Sequence, residues 1–452
     1  MSSDSNVLKR ILANAGTLLG GRTVNAVVGL AYIALTARGL GQELFGVIVV
    51  INAFAQFLGE VAKFQSWQTL LQYGASALLQ DDRPRFQQVL RFTLLLDAIG
   101  AVVGVTLGVV GALLFGHLLG WPAELSPAAA CYALSILVMD SATSVGLLRL
   151  FNRFRFLAAE QAVSSMVRMV GCALCFYLHA PIEAYLAAWA AGTVTTFIYV
   201  NSVTLWDLNR RQLLKGFTFR GPLSKGLPGV WRFAWATNFS GTIDTAFSQV
   251  ITLVVGSVLG STQAGIWRVG RQVADGMAKP AKLLVPALYP ELAKLRATGG
   301  EEAMRKLSRQ ISLIGGGVAG VLLLISILFG GAILALVMGE PSTGAGIMNW
   351  QVAAAAIGVL AMPLEPMLVS LGKAGLALRV RLVVCAIYLI ALVPLIRAVG
   401  LNGAGAALVG VAAALAIGMY LALRRSLAEE TARARDEQTC AEGQNGAKGL
   451  SQ

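Results

Sequence analysis

The chain has little charge for its length, because Asp, Glu, Lys and Arg together make up only 13% of its 452 residues. An average soluble domain carries about 25% charged residues, so this composition excludes a soluble fold of the same length. Histidine and cysteine are also scarce, and the 2 histidines and 5 cysteines do not assemble into a zinc signature. Cys172 and Cys175 form a C-x-x-C match, but two small residues one helical turn apart in an apolar run need no redox role.

Apolar residues make up 56% of the chain, and the mean hydropathy is +0.69. Stretches of about 20 apolar residues, enough to cross a bilayer core of about 30 Å as a helix, recur along nearly the whole sequence. The sequence therefore predicts an all-α polytopic membrane protein with twelve transmembrane helices. The predicted spans cover residues 15–36, 44–64, 92–116, 127–148, 159–180, 182–205, 233–259, 264–290, 311–337, 347–371, 378–399 and 403–423.

The basic residues, which give a net charge of +13, predict the orientation of these spans. Cytoplasmic loops retain Lys and Arg, whereas loops on the other side of the membrane do not. Alternate predicted loops collect nearly all the cations, and the opposite loops hold only Arg38 and Arg397. We therefore expect both termini to be cytoplasmic.

The spans divide the chain into five segments. These are a cytoplasmic N-terminus at 1–14, an N-lobe of helices 1–6 at 15–206, a basic cytoplasmic linker at 207–232, a C-lobe of helices 7–12 at 233–424, and a cytoplasmic tail at 425–452. The linker mixes aromatic and basic residues, which favours a segment on the anionic cytoplasmic leaflet over a nucleic-acid site. The polar composition of the tail predicts disorder.

One sequence offset aligns the turn signals of the two halves. An offset of 219 residues aligns Gly41 with Gly260 and Gly46 with Gly265. In each half the two glycines fall in the tight outer turn after the first span. Because both halves begin on the cytoplasmic side, the offset predicts a parallel repeat. Two six-helix lobes with a central cavity between them are expected.

A polar stripe on the eighth predicted helix indicates what this cavity carries. Arg268, Arg271, Asp275, Lys279 and Lys282 lie three or four residues apart, so they share one helix face over about 21 Å. Such charges cannot face lipid. Arg271 and Asp275 can neutralise each other, but a cationic excess remains. An anionic or phosphate-bearing cargo is the simplest use for that excess, because guanidinium groups grip phosphate oxygens by forked hydrogen bonds.

Other helices add to the predicted cavity. Arg22 and Arg168 contribute further cations from the first and fifth helices. The predicted cavity residues without positive charge are Asn25, Asn52, Gln56, Glu60, Asp140, Asp244 and Asp275. Each of the carboxylates is a candidate for coupling to H+ or Na+, and each can equally balance a nearby arginine. No other cofactor and no metal are expected.

Three stretches carry a family resemblance. ARGLGQELFGVIVVINAFAQFLGEVAKFQSWQTLLQYGA, GLLRLFNRFRFLAAEQ and GSVLGSTQAGIWRVGRQVADGMAKPAKLLVPALYPELAKL resemble the polysaccharide transporters and O-antigen flippases. Those proteins belong to the multidrug/oligosaccharidyl-lipid/polysaccharide (MOP) flippase superfamily. The similarity covers about residues 10–425.

The resemblance implies a transporter rather than an enzyme. Its cargo would be undecaprenyl-diphosphate-linked oligosaccharide, moved by alternating access to the outer leaflet of the bacterial inner membrane for lipopolysaccharide or exopolysaccharide. Membrane lipids, a polysaccharide polymerase and chain-length machinery are the expected partners, and nucleic acid is not. In related lipid II flippases, arginines on the first and eighth helices are thought to contact the diphosphate. The matching residues here are Arg22 and either Arg268 or Arg271.

Two other functions are alternatives to a flippase. A cation-coupled multidrug exporter of the same fold should have a net acidic cavity, whereas the stripe on the eighth helix is basic. A membrane polymerase or ligase needs a sizeable outer loop for its catalytic groups, and the predicted outer loops are short.

Overall fold

The computed structural model describes residues 2–139, 141–282, 300–339, 344–370 and 373–449. Several predicted site residues lie outside this description. They are Asp140 and the side chains of Arg22, Asn25, Asp244, Lys279 and Lys282. The described residues contain helices and no strand, which confirms the all-α prediction.

Ten helices precede the gap at residues 283–299. They are α1 (Ser2–Ala62), α2 (Ser66–Thr69), α3 (Ala75–Leu79), α4 (Arg83–Leu119), α5 (Ser126–Ala133), α6 (Ala142–Leu150), α7 (Phe154–Tyr177), α8 (Ile182–Arg210), α9 (Val230–Leu259) and α10 (Ser261–Lys282). Five follow it: α11 (Gly300–Met338), α12 (Ala345–Leu360), α13 (Leu364–Ser370), α14 (Ala374–Val399) and α15 (Leu401–Gly449).

The helices confirm a polytopic membrane protein. Within the described residues, 8 helical segments are long and apolar enough to cross a bilayer. Many of their large apolar side chains are exposed, among them Leu114, Val170 and Ile390, as expected for surfaces that face lipid. The count of twelve spans and the two-lobe repeat stay predictions.

The glycines that define the offset of 219 share a backbone conformation. Gly41 breaks α1 at φ 77° and ψ 169°, and Gly260 separates α9 from α10 at φ 93° and ψ 167°. Positive φ favours glycine at both places. The second glycine pair is a close helix contact, because a Cβ atom on Gly265 would lie 3.2 Å from the Cα atom of Gly46.

The chain forms two compact units. The first contains Met1–Gln272 and Ala332–Gly344, and the second contains Val273–Gly331 and Ala345–Gln452. The boundary between the units falls inside α10. Within the first unit α9 packs on α1, where a Cβ atom on Gly256 would lie 2.8 Å from Val50. The division into two lobes at the linker 207–232 stays a prediction.

The basic linker is attached to the first unit. The Gln87 side-chain amide on α4 donates to the carbonyl oxygens of Leu213 at 2.8 Å and Lys215 at 3.0 Å. Nearby, Arg91 Nε donates to the carbonyl oxygen of Thr218 at 2.7 Å. These bonds satisfy backbone acceptors in a segment without regular secondary structure, so the linker packs against α4.

The last helix continues into the predicted tail. α15 runs from Leu401 to Gly449 and so enters the segment predicted as a cytoplasmic tail, whose disorder stays a prediction. Ala, Glu and Arg, which predominate just after Arg425, have high helix propensity and extend the helix.

Candidate substrate cavity

A cavity of about 570 Å³ lies inside the first unit. Its charged lining residues are Glu60, Lys63, Arg149, Glu160 and Arg168. Its polar lining includes Gln56, Gln65, Ser141, Ser164, Thr193 and Thr196, with the indole of Trp67. Three cations and two carboxylates give the lining a formal excess of positive charge.

The second part of α1 supplies one wall of the cavity. Gln56 and Glu60 line it from successive turns of α1, and Lys63, which follows the end of the helix at Ala62, continues the same spacing. Asn52 continues this spacing but is not among the lining residues. It is 5% exposed, and its Oδ1 atom accepts a hydrogen bond from the Tyr132 hydroxyl at 2.8 Å. Asn52 therefore joins two helices.

Helix α7 supplies a second wall with the same spacing. Glu160, Ser164 and Arg168 line the cavity from successive turns. Arg168 Nη2 donates to Thr193 Oγ1 at 3.0 Å, and the guanidinium carbon lies 5.5 Å from the ring centroid of Trp189. The Nε atom of Arg168 is buried and has no hydrogen-bond partner among the described residues.

The fourth predicted span is not a continuous helix. α5 passes into a 3₁₀ segment at Leu134–Val138, and α6 begins at Ala142 after an interruption. Met139 and Ser141, which flank the interruption, both line the cavity. Broken helices with polar backbone exposed to a cavity are a recurrent way to build substrate sites in transporters.

Arg149, at the end of α6, stacks on an aromatic ring. Its guanidinium carbon lies 4.2 Å from the ring centroid of Trp67, which donates through Nε1 to Gln65 Oε1 at 2.7 Å. The carboxylate of Glu160 interacts electrostatically with both Arg149 and Lys63. Four charged or aromatic groups from three helical segments and a loop thus meet in one part of the cavity.

The residues of the predicted stripe on α10 lie elsewhere. Arg268 and Arg271 are in the first unit, and Asp275 follows its boundary. None of the three lines the described cavity. Of the predicted site residues, Gln56, Glu60 and Arg168 do line it.

Lys63, Trp67, Arg149 and Glu160 also line the cavity and are not among the predicted site residues. Lys63 and Arg149 fall in predicted cytoplasmic loops, where a cation indicates topology, and Trp67 and Glu160 belong to no motif. The signal in the sequence was spacing: Lys63 lies three residues after Glu60, and Glu160 lies eight residues before Arg168. A loop cation can line a cavity when its helix ends beside that cavity.

Glu365 in the second unit has a different environment. Its Oε2 atom accepts from Arg381 Nη2 at 2.7 Å. The pair balances its own charge, as the sequence allowed for each intramembrane carboxylate.

Comparisons with known proteins agree with this architecture. Residues 11–296 match a family described as "Polysaccharide biosynthesis protein". Inner membrane protein YghQ of Escherichia coli (strain K12) is 28% identical over 336 residues, which cover 73% of this chain and 93% of that protein.

Solved transporters share the fold. An inward-facing multidrug resistance MATE family transporter of the MOP superfamily matches with a TM-score of 0.63 and 16% identity, covering 92% of this chain and 95% of its own. The lipid II flippase MurJ, in an inward closed conformation, matches with a TM-score of 0.61 and 13% identity, covering 92% of this chain and 87% of its own. The chain is therefore a member of the polysaccharide biosynthesis protein family, and it has the fold of the MOP flippase superfamily.

Proposed function

We propose that this protein is a flippase for undecaprenyl-diphosphate-linked oligosaccharide in the bacterial inner membrane. It moves the cargo from the cytoplasmic to the outer leaflet by alternating access, for the assembly of lipopolysaccharide or exopolysaccharide. The observation that carries the proposal is Arg168, a cavity-lining arginine in the interior of α7 with a buried Nε donor. The family match and the inner-membrane relative support the proposal.

The environment of Arg168 favours a phosphate ligand. A charged arginine in the middle of a membrane helix costs at least roughly 2.5 kcal/mol unless it meets water or a partner. Its contacts with Thr193, Trp189 and Tyr32 satisfy part of the guanidinium and bring no negative charge. A diphosphate supplies that charge and accepts forked hydrogen bonds. The polyprenyl tail stays in the bilayer while the sugar and diphosphate cross through the cavity.

Several parts of the proposal extend beyond the described cavity. Arg22, Arg268, Arg271, Lys279 and Lys282 are the further cations proposed for the route. Glu60, Asp140, Asp244 and Asp275 are the proposed candidates for coupling to H+ or Na+. The proposed topology has both termini in the cytoplasm, and a polymerase with chain-length machinery takes up the translocated cargo.

A cation-coupled multidrug exporter is the alternative, and its support is the fold shared with MATE family transporters. Exporters of organic cations need a cavity that attracts positive charge. The lining here has three cations against two carboxylates, which favours an anionic cargo.

Surface polysaccharide in a deletion strain separates the two functions. The wild-type gene should restore the polymer and should leave resistance to cationic drugs unchanged. Restored drug resistance with no change in polysaccharide would contradict the flippase proposal.

A further inference from the structure

Arg149 lines the cavity in a geometry suited to anion binding. Its guanidinium lies 4.2 Å from the centroid of the Trp67 ring, so the ring covers one face of the cation. In-plane N–H groups stay available for forked hydrogen bonds when an arginine is stacked in this way. Among the described residues, no carboxylate lies within ion-pairing distance of Arg149.

A second cation shares this part of the cavity. Lys63 and Arg149 both line the cavity, and both interact electrostatically with Glu160. With Glu60 and Arg168, the whole lining has three cations and two carboxylates, which leaves an excess of positive charge. A diphosphate carries charge on two neighbouring groups, which suits a forked guanidinium next to an ammonium.

Helix α6, which carries Arg149, is not continuous with the preceding helical segment. Because the helix is interrupted before Ala142, the first N–H groups of α6 have no intrahelical partner. Ser141, at the position that usually caps a helix, makes no capping hydrogen bond with its side chain. The position of α6, and of Arg149 at its end, therefore depends on other contacts.

Asp97 of α4 provides such a contact. Its Oδ2 atom accepts from the backbone N–H group of Thr143 at 2.9 Å, and its Oδ1 atom accepts from the Ser66 hydroxyl. Ser66 precedes Trp67 in the chain, so one carboxylate joins the segment that carries the indole to the helix that carries the guanidinium. Gly146 completes the contact, because a Cβ atom there would lie 2.9 Å from the Trp67 Cα atom.

We infer that Arg149, stacked on Trp67 and assisted by Lys63, binds the diphosphate of the cargo, and that Asp97 is the positioning residue of this pair. The inference rests on the proposed function, because it assigns the diphosphate to a particular cation in the same cavity. It adds a binding role for Arg149, which in the sequence is one of the loop cations that predict the orientation of the spans.

Binding measurements on purified full-length protein in lipid nanodiscs test the inference. The probes are undecaprenyl diphosphate and inorganic pyrophosphate. Arg149→Gln should weaken binding of the lipid probe about tenfold or more, because a charged hydrogen-bond donor is lost. Arg149→Lys should weaken it less but measurably, because the charge is kept and the fork is lost. Arg155→Gln is the matched control, since Arg155 is an exposed arginine outside the cavity lining.

A double-mutant cycle tests the positioning role. Asp97→Asn should weaken binding severalfold, because an amide offers one acceptor atom where the carboxylate offers two. In the Arg149→Gln background the same substitution should have almost no further effect if Asp97 acts through Arg149. Equal losses in both backgrounds would overturn the positioning role and indicate a general structural defect. Thermal unfolding and gel filtration of each variant identify misfolded protein, and Arg149→Lys keeps the test valid if Arg149→Gln fails to fold.

The outcomes separate this inference from the proposed function. Wild-type protein that binds the lipid diphosphate while both Arg149 variants bind within twofold of it would overturn the inference alone. Wild-type protein that binds neither probe would contradict the flippase proposal itself. Matching losses for both probes would show that the site recognises the diphosphate group, and a loss for the lipid probe alone would show that it recognises the lipid-linked form.

Discussion

The two compact units contain cavities of opposite character. The cavity of the first unit is about 570 Å³ in volume and is lined by five charged residues. A groove of about 310 Å³ between α14 and α15 in the second unit is lined by apolar side chains such as Ile387, Leu395 and Val411, with Tyr388. No charged residue lines this groove among the described residues. Although the apolar composition is similar along the chain, the cavity of the first unit is polar and the groove of the second unit is suited to lipid.

The difference between the two cavities indicates which of them binds a charged cargo. Apolar grooves between membrane helices are filled by lipid without specific recognition, whereas intramembrane charges are costly and mark substrate pathways. We therefore expect substitutions of equal size to have very unequal effects in the two cavities.

The largest effect is expected for Arg168. Arg168→Ala should reduce delivery of surface polysaccharide by about a hundredfold or more, because it removes the cation within α7 and its forked donors. The matched control is Arg397→Gln, an exposed arginine of α14 in the second unit. Polymer analysis in a deletion strain, with immunoblots for abundance, measures both. Normal polymer delivery by the Arg168 variant would contradict the expectation that charged residues of the first unit's cavity are needed for transport.

A smaller effect is expected for Arg271 on α10. Arg271→Ala should reduce polymer delivery about tenfold, because Arg271 lies on the predicted polar stripe but outside the lining of the described cavity. The same complementation assay compares it directly with the Arg168 variant. A loss as complete as that of Arg168→Ala would extend the binding site from the described cavity to α10.

Neutralising Glu160 should strengthen cargo binding, whereas loss of a cavity cation should weaken it. Glu160→Gln should tighten undecaprenyl diphosphate binding by roughly threefold to fivefold, because a carboxylate that interacts with Lys63 and Arg149 is neutralised. Titration in nanodiscs measures the dissociation constant. Glu183→Gln, at an exposed residue in the first turn of α8 outside the cavity lining, serves as the control for an added amide. Weaker binding by Glu160→Gln would show that this carboxylate itself contacts the cargo.

The smallest effect is expected in the apolar groove. Gly410→Ala adds a methyl group where no heavy atom lies within 4 Å of the new Cβ position. Transport should stay within twofold of wild type, and the unfolding temperature should rise slightly, because Ala favours helix more than Gly does. Transport assays and thermal unfolding check both expectations. A strong loss of transport would give the groove a functional role and weaken the comparison between the two cavities.

The sequence predicted the features that depend on local pattern. Apolar runs predicted helices, and Gly41 and Gly260 predicted breaks that the structure places at those residues. Arg168 was predicted as a cavity cation from its place inside a span, and it lines the cavity. These features follow from hydropathy, charge burial and glycine stereochemistry, all of which can be read from neighbouring residues.

Features that depend on packing could not be predicted in the same way. The stacking of Arg149 on Trp67 joins residues 82 positions apart. The hydrogen bond from the Thr143 N–H group to Asp97 forms only because the fourth predicted span is interrupted, and hydropathy does not register that interruption. The spacing of the charged residues on α10 places them on one helix face. Spacing alone does not show which cavity that face lines.

Translocation by the purified protein is the decisive test of diphosphate transport through the cavity of the first unit. Proteoliposomes are loaded with undecaprenyl-diphosphate-linked oligosaccharide, and the sugar that becomes accessible to an added glycosidase is measured over time. Wild-type protein should expose the sugar on the opposite leaflet, excess undecaprenyl diphosphate should inhibit the process, and Arg168→Ala should fall to the rate of protein-free vesicles. Translocation by the Arg168 variant at the wild-type rate would contradict the claim that a cationic cavity in the first unit carries the diphosphate.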